Sequence, residues 1–399
     1  MLYVLWDHLK NWLDDRGISW MFMILEHRSF RALAAAALAF AIVIVLGKPV
    51  IGWLRRKKIG DAGLADTAVL ADISKSKANV PTMGGVLICG AILASTVLLA
   101  DVRNFYVVVG IVVLVWLAAL GSIDDWLKLT AASRPGGSRQ GLYAWEKLVF
   151  QLGLGLLVGW FVYHKGSPAG VEQSLSHVLS LPLQPTYLGG DASLLQVNPG
   201  LFYLPAAGFI VLSVLMVAGM SNAVNITDGL DGLAAGTTTI VALGLTVLVY
   251  IAGWDLAAKG LRMPFIVEGD EIVVLTASIA GACLGFLWWN CSPARVFMGD
   301  TGSLALGGLL GYIAIVIRQE LLLLIMSGVF LMEIFSVILQ VGYFKYTRRS
   351  TGTGRRLFKV APIHHHFHVL GWTEQTVVTR FWIITSLLVI LALALVKVR

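Results

Sequence analysis

Charge is scarce along this chain and cysteine scarcer. Of its 399 residues only 13% are Asp, Glu, Lys or Arg, against 57% hydrophobic, too few charges to clothe a water-exposed globule of this size. That excludes an ordinary soluble enzyme and leaves a polytopic membrane protein. The three cysteines, Cys89, Cys283 and Cys291, lie in or beside apolar runs without paired or metal-ligand spacing, which argues against a disulfide framework, a zinc site and thiol redox chemistry. No small-residue cleavage pattern follows the first long apolar run, about 32–54, so that run reads as a retained span and not a signal peptide. Internal repeats are lacking too. The net charge of +7 is no sign of nucleic-acid binding, because the basic residues concentrate in loops between apolar runs, where membrane orientation accounts for them.

What is abundant is membrane-length hydrophobicity. At roughly 20 apolar residues per crossing, ten candidate spans fall near 30–54, 80–100, 105–123, 145–164, 201–220, 232–252, 271–289, 303–318, 321–344 and 375–397. An even number places both termini on one side. Arg55, Arg56, Lys57, Lys58, Lys75 and Lys77 follow the first span, and Lys345, Arg348, Arg349, Arg355, Arg356 and Lys359 follow the ninth; such loops are cytoplasmic by the positive-inside rule. The termini then face out. On that outer side, the loop of about 165–200 carries a Gly189-Gly190 turn signal that predicts a small β-hairpin.

Polar clusters interrupt this pattern where spans end, and alternate threading brings them to one face. Asp124 and Asp125 end the third span, where two carboxylates oppose the helix dipole and each other, so a cation is needed; Mg²⁺ suits oxygen ligands shared with phosphates. Asn222, Asn225, Asp228 and Asp231 recur every third residue, predicting a polar strip along one helical face. Asn290 and the Phe297-Met-Gly-Asp300 stretch fall in the following loop, with Asp300 a further oxygen ligand and Phe297 able to stack on a base or anchor the loop in the interface. His364, His365 and His366 point in different directions on a helix, which favours phosphate contacts over a shared ion. Lys77 and Thr82 precede the Gly-bearing start of the second span, a phosphate-facing arrangement. Together they predict a membrane enzyme acting on a phosphate-bearing substrate at one surface.

In order, Lys77…Pro-Thr82-Met-Gly-Gly, Asp124-Asp125-Trp-Leu-Lys128, Asn225-x-x-Asp228-Gly-Leu-Asp231-Gly, Phe297-Met-Gly-Asp300-Thr-Gly-Ser and Pro-Ile-His364-His-His-Phe resemble the phospho-N-acetylmuramoyl-pentapeptide transferases, a branch of the polyprenyl-phosphate sugar-1-phosphate transferases. The likeness runs from about 75 to 397. It implies an all-α polytopic protein of the bacterial inner membrane with about ten transmembrane helices and periplasmic termini. A periplasmic interfacial segment at 1–28 would precede one catalytic domain at 29–399. It also implies transfer of phospho-N-acetylmuramoyl-pentapeptide from its UDP carrier, UDP-N-acetylmuramoyl-pentapeptide, to undecaprenyl phosphate at the cytoplasmic face, giving lipid I and UMP with Mg²⁺, in a homodimer. By the same resemblance Asp300 is the leading metal ligand. Asp124 orients or deprotonates the lipid phosphate, and Asp125 and His364 complete the catalytic set. Lys77, Thr82, Lys128, Lys147, Asn225, Asp228, Asp231, Asn290, Phe297, Gln340, His365 and His366 line the substrate site. The family often carries Lys before the Gly-Leu pair where this chain has Gln140.

Two other readings compete. The sister N-acetylglucosamine-1-phosphate transferases share the acids, but the triple histidine and the Pro-Thr-Met-Gly-Gly stretch favour the muramoyl branch. An ion-coupled transporter would hold its acids near the bilayer midplane, where ionisable residues are few, Glu333 in the ninth span and Arg380 in the tenth.

Overall fold

Apolar runs this long have one stable form in hydrocarbon, a helix that satisfies its own backbone, and the structure is built from such helices. The computed structural model describes residues 1–57, 80–130, 141–167, 174–189 and 195–397. In chain order the helices are α1 (Leu2–Asp14), α2 (Arg28–Arg56), α3 (Gly85–Leu99), α4 (Phe105–Leu129), α5 (Ala144–Lys165), α6 (Ala206–Thr227), α7 (Leu233–Ala252), α8 (Asp255–Gly260), α9 (Ile272–Asn290), α10 (Gly299–Val316), α11 (Glu320–Met326), α12 (Gly328–Thr351), α13 (Ile363–Val369) and α14 (Glu374–Lys397). Among the described residues nine helices are long and apolar enough to cross a membrane: α2, α4, α5, α6, α7, α9, α10, α12 and α14.

The second expected span, 80–100, forms a helix too short to be counted with these nine. Residues 81–84, which the sequence assigns to the start of that span, are instead drawn into backbone pairing with 297–298. Phe297 N–H donates to Pro81 O, Gly84 N–H to Phe297 O and Gly85 N–H to Met298 O, each at 2.8 Å. Helix α3 therefore starts only at Gly85 and is about 22 Å long. Two other boundaries differ. The fifth span begins not at 201 but after Pro205, whose ring suits a helix start, and runs on to Thr227. The ninth is broken at Ser327 into α11 and α12, and α12 extends to Thr351.

At the centre stands α10. Every residue from Thr301 to Val316 is buried, and α3, α4 and α6 pack around it. Helix α9 joins α2 and α7, α5 lies on α6, and α14 lies on α7. Antiparallel connections bring the C-terminal ends of α4, α6, α9 and α12 to the same end of the bundle as the N-terminal ends of α5, α7, α10 and α14. The opposite end is closed by buried polar pairs. Arg31 reaches Glu271 with both guanidinium nitrogens, at 2.6 and 2.5 Å, and Glu271 also accepts from Asp101 N–H at 2.9 Å. Arg318, fully buried, pairs with Glu320 at 2.7 Å and donates to Val178 O at 2.8 Å. Burial pushes the Glu320 carboxyl up to about 7, against the pull of Arg318.

On that end too lie the hairpin and α1. Strands β1 (Tyr187–Leu188) and β2 (Gln196–Val197) pair antiparallel, Tyr187 opposite Val197. This is the small β element expected in the loop, though the turn at Gly190 lies outside the described residues. Helix α1 buries Trp6 and Leu13 and leaves Leu2, Leu5, Leu9 and Trp12 as an exposed apolar stripe. It is tied to the bundle through the Met1 amino group on Val97 O and through Asp7 on Arg103 at 2.9 Å.

Candidate functional site

Successive residues on a helix diverge by about 100°, so Asp124 and Asp125 near the end of α4 face different neighbours. Asp125 faces the start of α10. Its two oxygens accept from Asp300 N–H at 3.1 Å, Thr301 N–H at 3.0 Å and the Thr301 hydroxyl at 2.7 Å. Helix α10 has no side-chain cap of its own. A carboxylate from the neighbouring helix thus satisfies its first N–H groups and sits at the positive end of its dipole. The approach is close: a Cβ at Gly121, one turn before Asp125, would stand 2.2 Å from Asp300 O. Gly299, at φ +73, makes the turn into α10, and a side chain there would meet Asp125 Oδ2 and Thr82 Oγ1.

Asp124, fully buried, faces Asp300 and two lysines. Lys147 Nζ lies 2.8 Å from Asp124 and 2.6 Å from Asp300. Lys128 Nζ lies 2.7 Å from Asp124 and 3.1 Å from Asp300. The second Asp124 oxygen accepts from Leu142 N–H at 2.7 Å. Asn225, in the last turn of α6, donates to Asp300 Oδ1 and to Ser303 Oγ, both at 2.9 Å. Three carboxylates and two ammonium groups leave one negative charge in excess. Asp124, Asp125 and Asp300 each offer an oxygen, all within 4.8 Å of one another, a donor set that fits a small hard divalent ion. Both oxygens of Asp125 hold α10, whereas Oδ2 of Asp124 and Oδ2 of Asp300 each meet the two lysine ammonium groups.

The polar strip expected at 222–231 does not run along one face, because α6 ends at Thr227. Asn222 turns to Gln151, donating at 2.7 Å, while Asn225 turns to Asp300. Asp228, past the helix end and half-buried, accepts from Gly299 N–H, yet burial and the charge of Asp300 push its carboxyl up to about 7. Asp231 accepts from Ala294 N–H at 2.9 Å. Asn290, buried, accepts from Gly232 N–H at 3.0 Å and donates to Val296 O at 2.9 Å. Asp231 and Asn290 thus brace the connection that delivers Phe297 and Asp300. Asp300 itself lies in the first turn of α10 and not in a loop, which gives it a fixed direction.

At the second expected phosphate-facing start, the N–H groups of Gly84 and Gly85 are occupied by the pairing with Phe297 and Met298. Lys77 and the stretch around Gln140 lie outside the described residues. Gln340 accepts from Leu357 and Phe358 N–H, both at 2.9 Å, and donates to Phe358 O at 3.0 Å, so it clamps the segment between α12 and α13. The three histidines take different partners, but the first two rings do not diverge as the sequence suggested. His364 is fully buried with Nδ1 2.9 Å from Glu333 Oε2. His365 packs on the His364 ring, and His366 Nδ1 accepts from Lys359 N–H at 3.1 Å.

Sequence reasoning missed Thr301 and Ser303 as partners of the acids, Glu374, which accepts from Asp231 N–H at 2.7 Å, and the pairing of Glu333 with His364. The signal for the last was a lone carboxylate inside an apolar helix. Chemically, the end of the bundle offers a carboxylate set for a cation, two ammonium groups for phosphate, and amide and histidine groups around them.

The model of glycosyl transferase family 4 matches residues 105–318, more than half of the chain, and that span holds Asp124, Lys147, Asn225 and Asp300. A phospho-N-acetylmuramoyl-pentapeptide-transferase of Chloroherpeton thalassium is 40% identical over 399 residues, the whole of both chains. One of Chlorobium chlorochromatii is 42% identical over 376 residues, 94% of this chain and 95% of the relative. One of Salinibacter ruber is 39% identical over 409 aligned positions, again the whole of both.

Proposed function

Because the chain belongs to glycosyl transferase family 4 and, along its whole length, to the phospho-N-acetylmuramoyl-pentapeptide transferases, we propose that the acid and lysine centre at the end of α4, α5 and α10 is where its transfer occurs. The enzyme is a bacterial membrane phosphotransferase of peptidoglycan synthesis. It moves phospho-N-acetylmuramoyl-pentapeptide from UDP to undecaprenyl phosphate and forms lipid I and UMP. The observation that carries the site assignment is the meeting of Asp124, Asp125 and Asp300 with Lys128 and Lys147 at one end of the bundle.

Asp300 and Asp124, with Asp125 beside them, would hold Mg²⁺, which when bound supplies Lewis acidity to the diphosphate. Two anions must be brought together here, and the chain's own cations answer that need. Lys128 and Lys147 exchange their carboxylate contacts for phosphate oxygens and neutralise charge that builds on the leaving UMP. Asp124 orients the lipid phosphate and takes its proton if it arrives protonated. An oxygen of that phosphate attacks the β-phosphorus in line, and the bond from the β-phosphorus to the bridging oxygen breaks as UMP leaves. Asn225 fixes the direction of Asp300. Lys77, Thr82, Asp228, Asp231, Asn290, Phe297, Gln340, His365 and His366 complete the nucleotide and diphosphate surroundings, directly or by bracing the segments that do. A phosphorylated Asp300 is the two-step alternative, and a phospho-enzyme trapped with the UDP substrate alone would replace the direct route.

In this reading the site faces the cytoplasm, the termini lie on the periplasmic side and the exposed stripe of α1 rests in the bilayer interface. The working unit is a homodimer. UMP release by the purified protein with Mg²⁺ and undecaprenyl phosphate tests the assignment, comparing UDP-muramoyl-pentapeptide with UDP-N-acetylglucosamine and including Asp300→Ala. Release with the muramoyl donor alone, lost in the variant, is expected. Unchanged release by Asp300→Ala would remove the acid centre from the reaction.

A further inference from the structure

Glu333 is the only carboxylate of α12 and is completely buried beside apolar neighbours. A charge so placed is costly unless it has a task. Its Oε2 lies 2.9 Å from His364 Nδ1, and the ring is equally buried. An ionised Glu333 can only accept, and Nδ1 then carries the proton in that bond. The other ring nitrogen is thereby assigned a direction. Nε2 has no hydrogen-bond partner among the described residues and presses on Gly229, where a Cβ would stand 2.3 Å from it. Gly229 directly follows Asp228, which reaches Gly299 at the start of α10 and feels the charge of Asp300. A chain of contacts thus leads from the interior of α12 to the acid centre.

We propose that Glu333 is a positioning residue for the transfer, acting through His364. It locks the imidazole so that Nε2, carrying the lone pair, faces the 228–231 turn, and there a hydroxyl of the bound substrate donates to Nε2 and completes the vacant hydrogen bond. The turn has to yield slightly for that bond to form, and the missing side chain at 229 is what lets the oxygen approach. A purely structural link between α12 and α13 would use the Nδ1 bond alone and would not leave a buried ring nitrogen aimed at the turn.

The inference rests on the transferase reading, and the experiment separates the two. UMP release is measured for the full-length protein with Mg²⁺ and both substrates, for wild type, Glu333→Gln, His364→Gln and the double variant. An inactive wild type would strike at the function itself. With active wild type, Glu333→Gln is expected to lose about 10–100-fold in kcat with KM for the nucleotide substrate changed by less than about threefold. In the His364→Gln background the same change is expected to add almost nothing, because the route through the ring is already cut. Wild-type kcat in Glu333→Gln, or losses that multiply in the double variant, would overturn the proposal. If Glu333→Gln does not fold, the ¹⁵N resonance of His364 in labelled wild type decides: a protonated Nδ1 agrees with the proposal, and an unprotonated Nδ1 refutes it.

Discussion

Lys147 stands between two carboxylates that would otherwise repel each other, 2.8 and 2.6 Å from Asp124 and Asp300, in the first turn of the helix that begins at the site. Lys147→Met is therefore expected to cut UMP release by about 10²–10³-fold, the scale of losing one group that meets developing charge, while Lys128 still holds the acids together in a thermal melt. Asp228 gives a pH signature. Its folded pKa of about 7 exceeds the usual carboxylate value, so between about pH 4 and 7 the native protein holds a proton that the unfolded chain releases. Stability from this group is full below about pH 4 and is lost as pH rises through about 7. Melting temperatures of metal-free protein should decline across that window, and Asp228→Asn should flatten the decline; an unchanged slope in the variant would assign it elsewhere. The acids themselves were legible in the sequence because carboxylates are rare in such a chain. Their division of labour was not. That Asp125 caps α10 while Asp124 meets the lysines follows from rotation about one helix and the position of another, and Glu333 acquires meaning only from a histidine 31 residues later.

Among the elements, the junction of α4 and α10 is the most sensitive, since Gly121 lets the two backbones touch. Gly121→Ala has to push them apart. A loss of about 1–3 kcal/mol is expected from overpacking, together with a fall in UMP release larger than stability explains, because Asp124 and Asp300 separate along with the helices. A melt and an activity assay on the same sample check this, and full activity in a destabilised variant would show that the acids tolerate the displacement. The order and approximate position of the elements could be read from hydrophobic runs. Their ends could not where tertiary partners intervene. Residues 81–84 adjoin an apolar run but pair with 297–298, the run from 201 waits for Pro205, and Ser327 interrupts a stretch whose hydropathy is continuous.

For the whole molecule, sidedness is the property on which the substrates depend, and the chain carries its own probe. Cys291 is exposed in the turn between α9 and α10, beside the site, whereas Cys89 and Cys283 are buried. A membrane-impermeant maleimide should label inside-out vesicles at Cys291 and leave intact spheroplasts unlabelled, and the opposite pattern would invert the orientation. Basic loops alone suggested this orientation, and the acids, lysines and histidines lie at one end of the bundle. The placement of Asp300 has a further consequence for evolution under attack. It opens the helix whose next sixteen residues, Thr301 to Val316, are all buried. An inhibitor that rests on Asp300, Thr301 and Ser303 meets positions where a resistance substitution disturbs the centre of the fold, whereas one that leans on the segment clamped by Gln340 meets exposed residues, such as Leu357, that the cell can exchange at little cost.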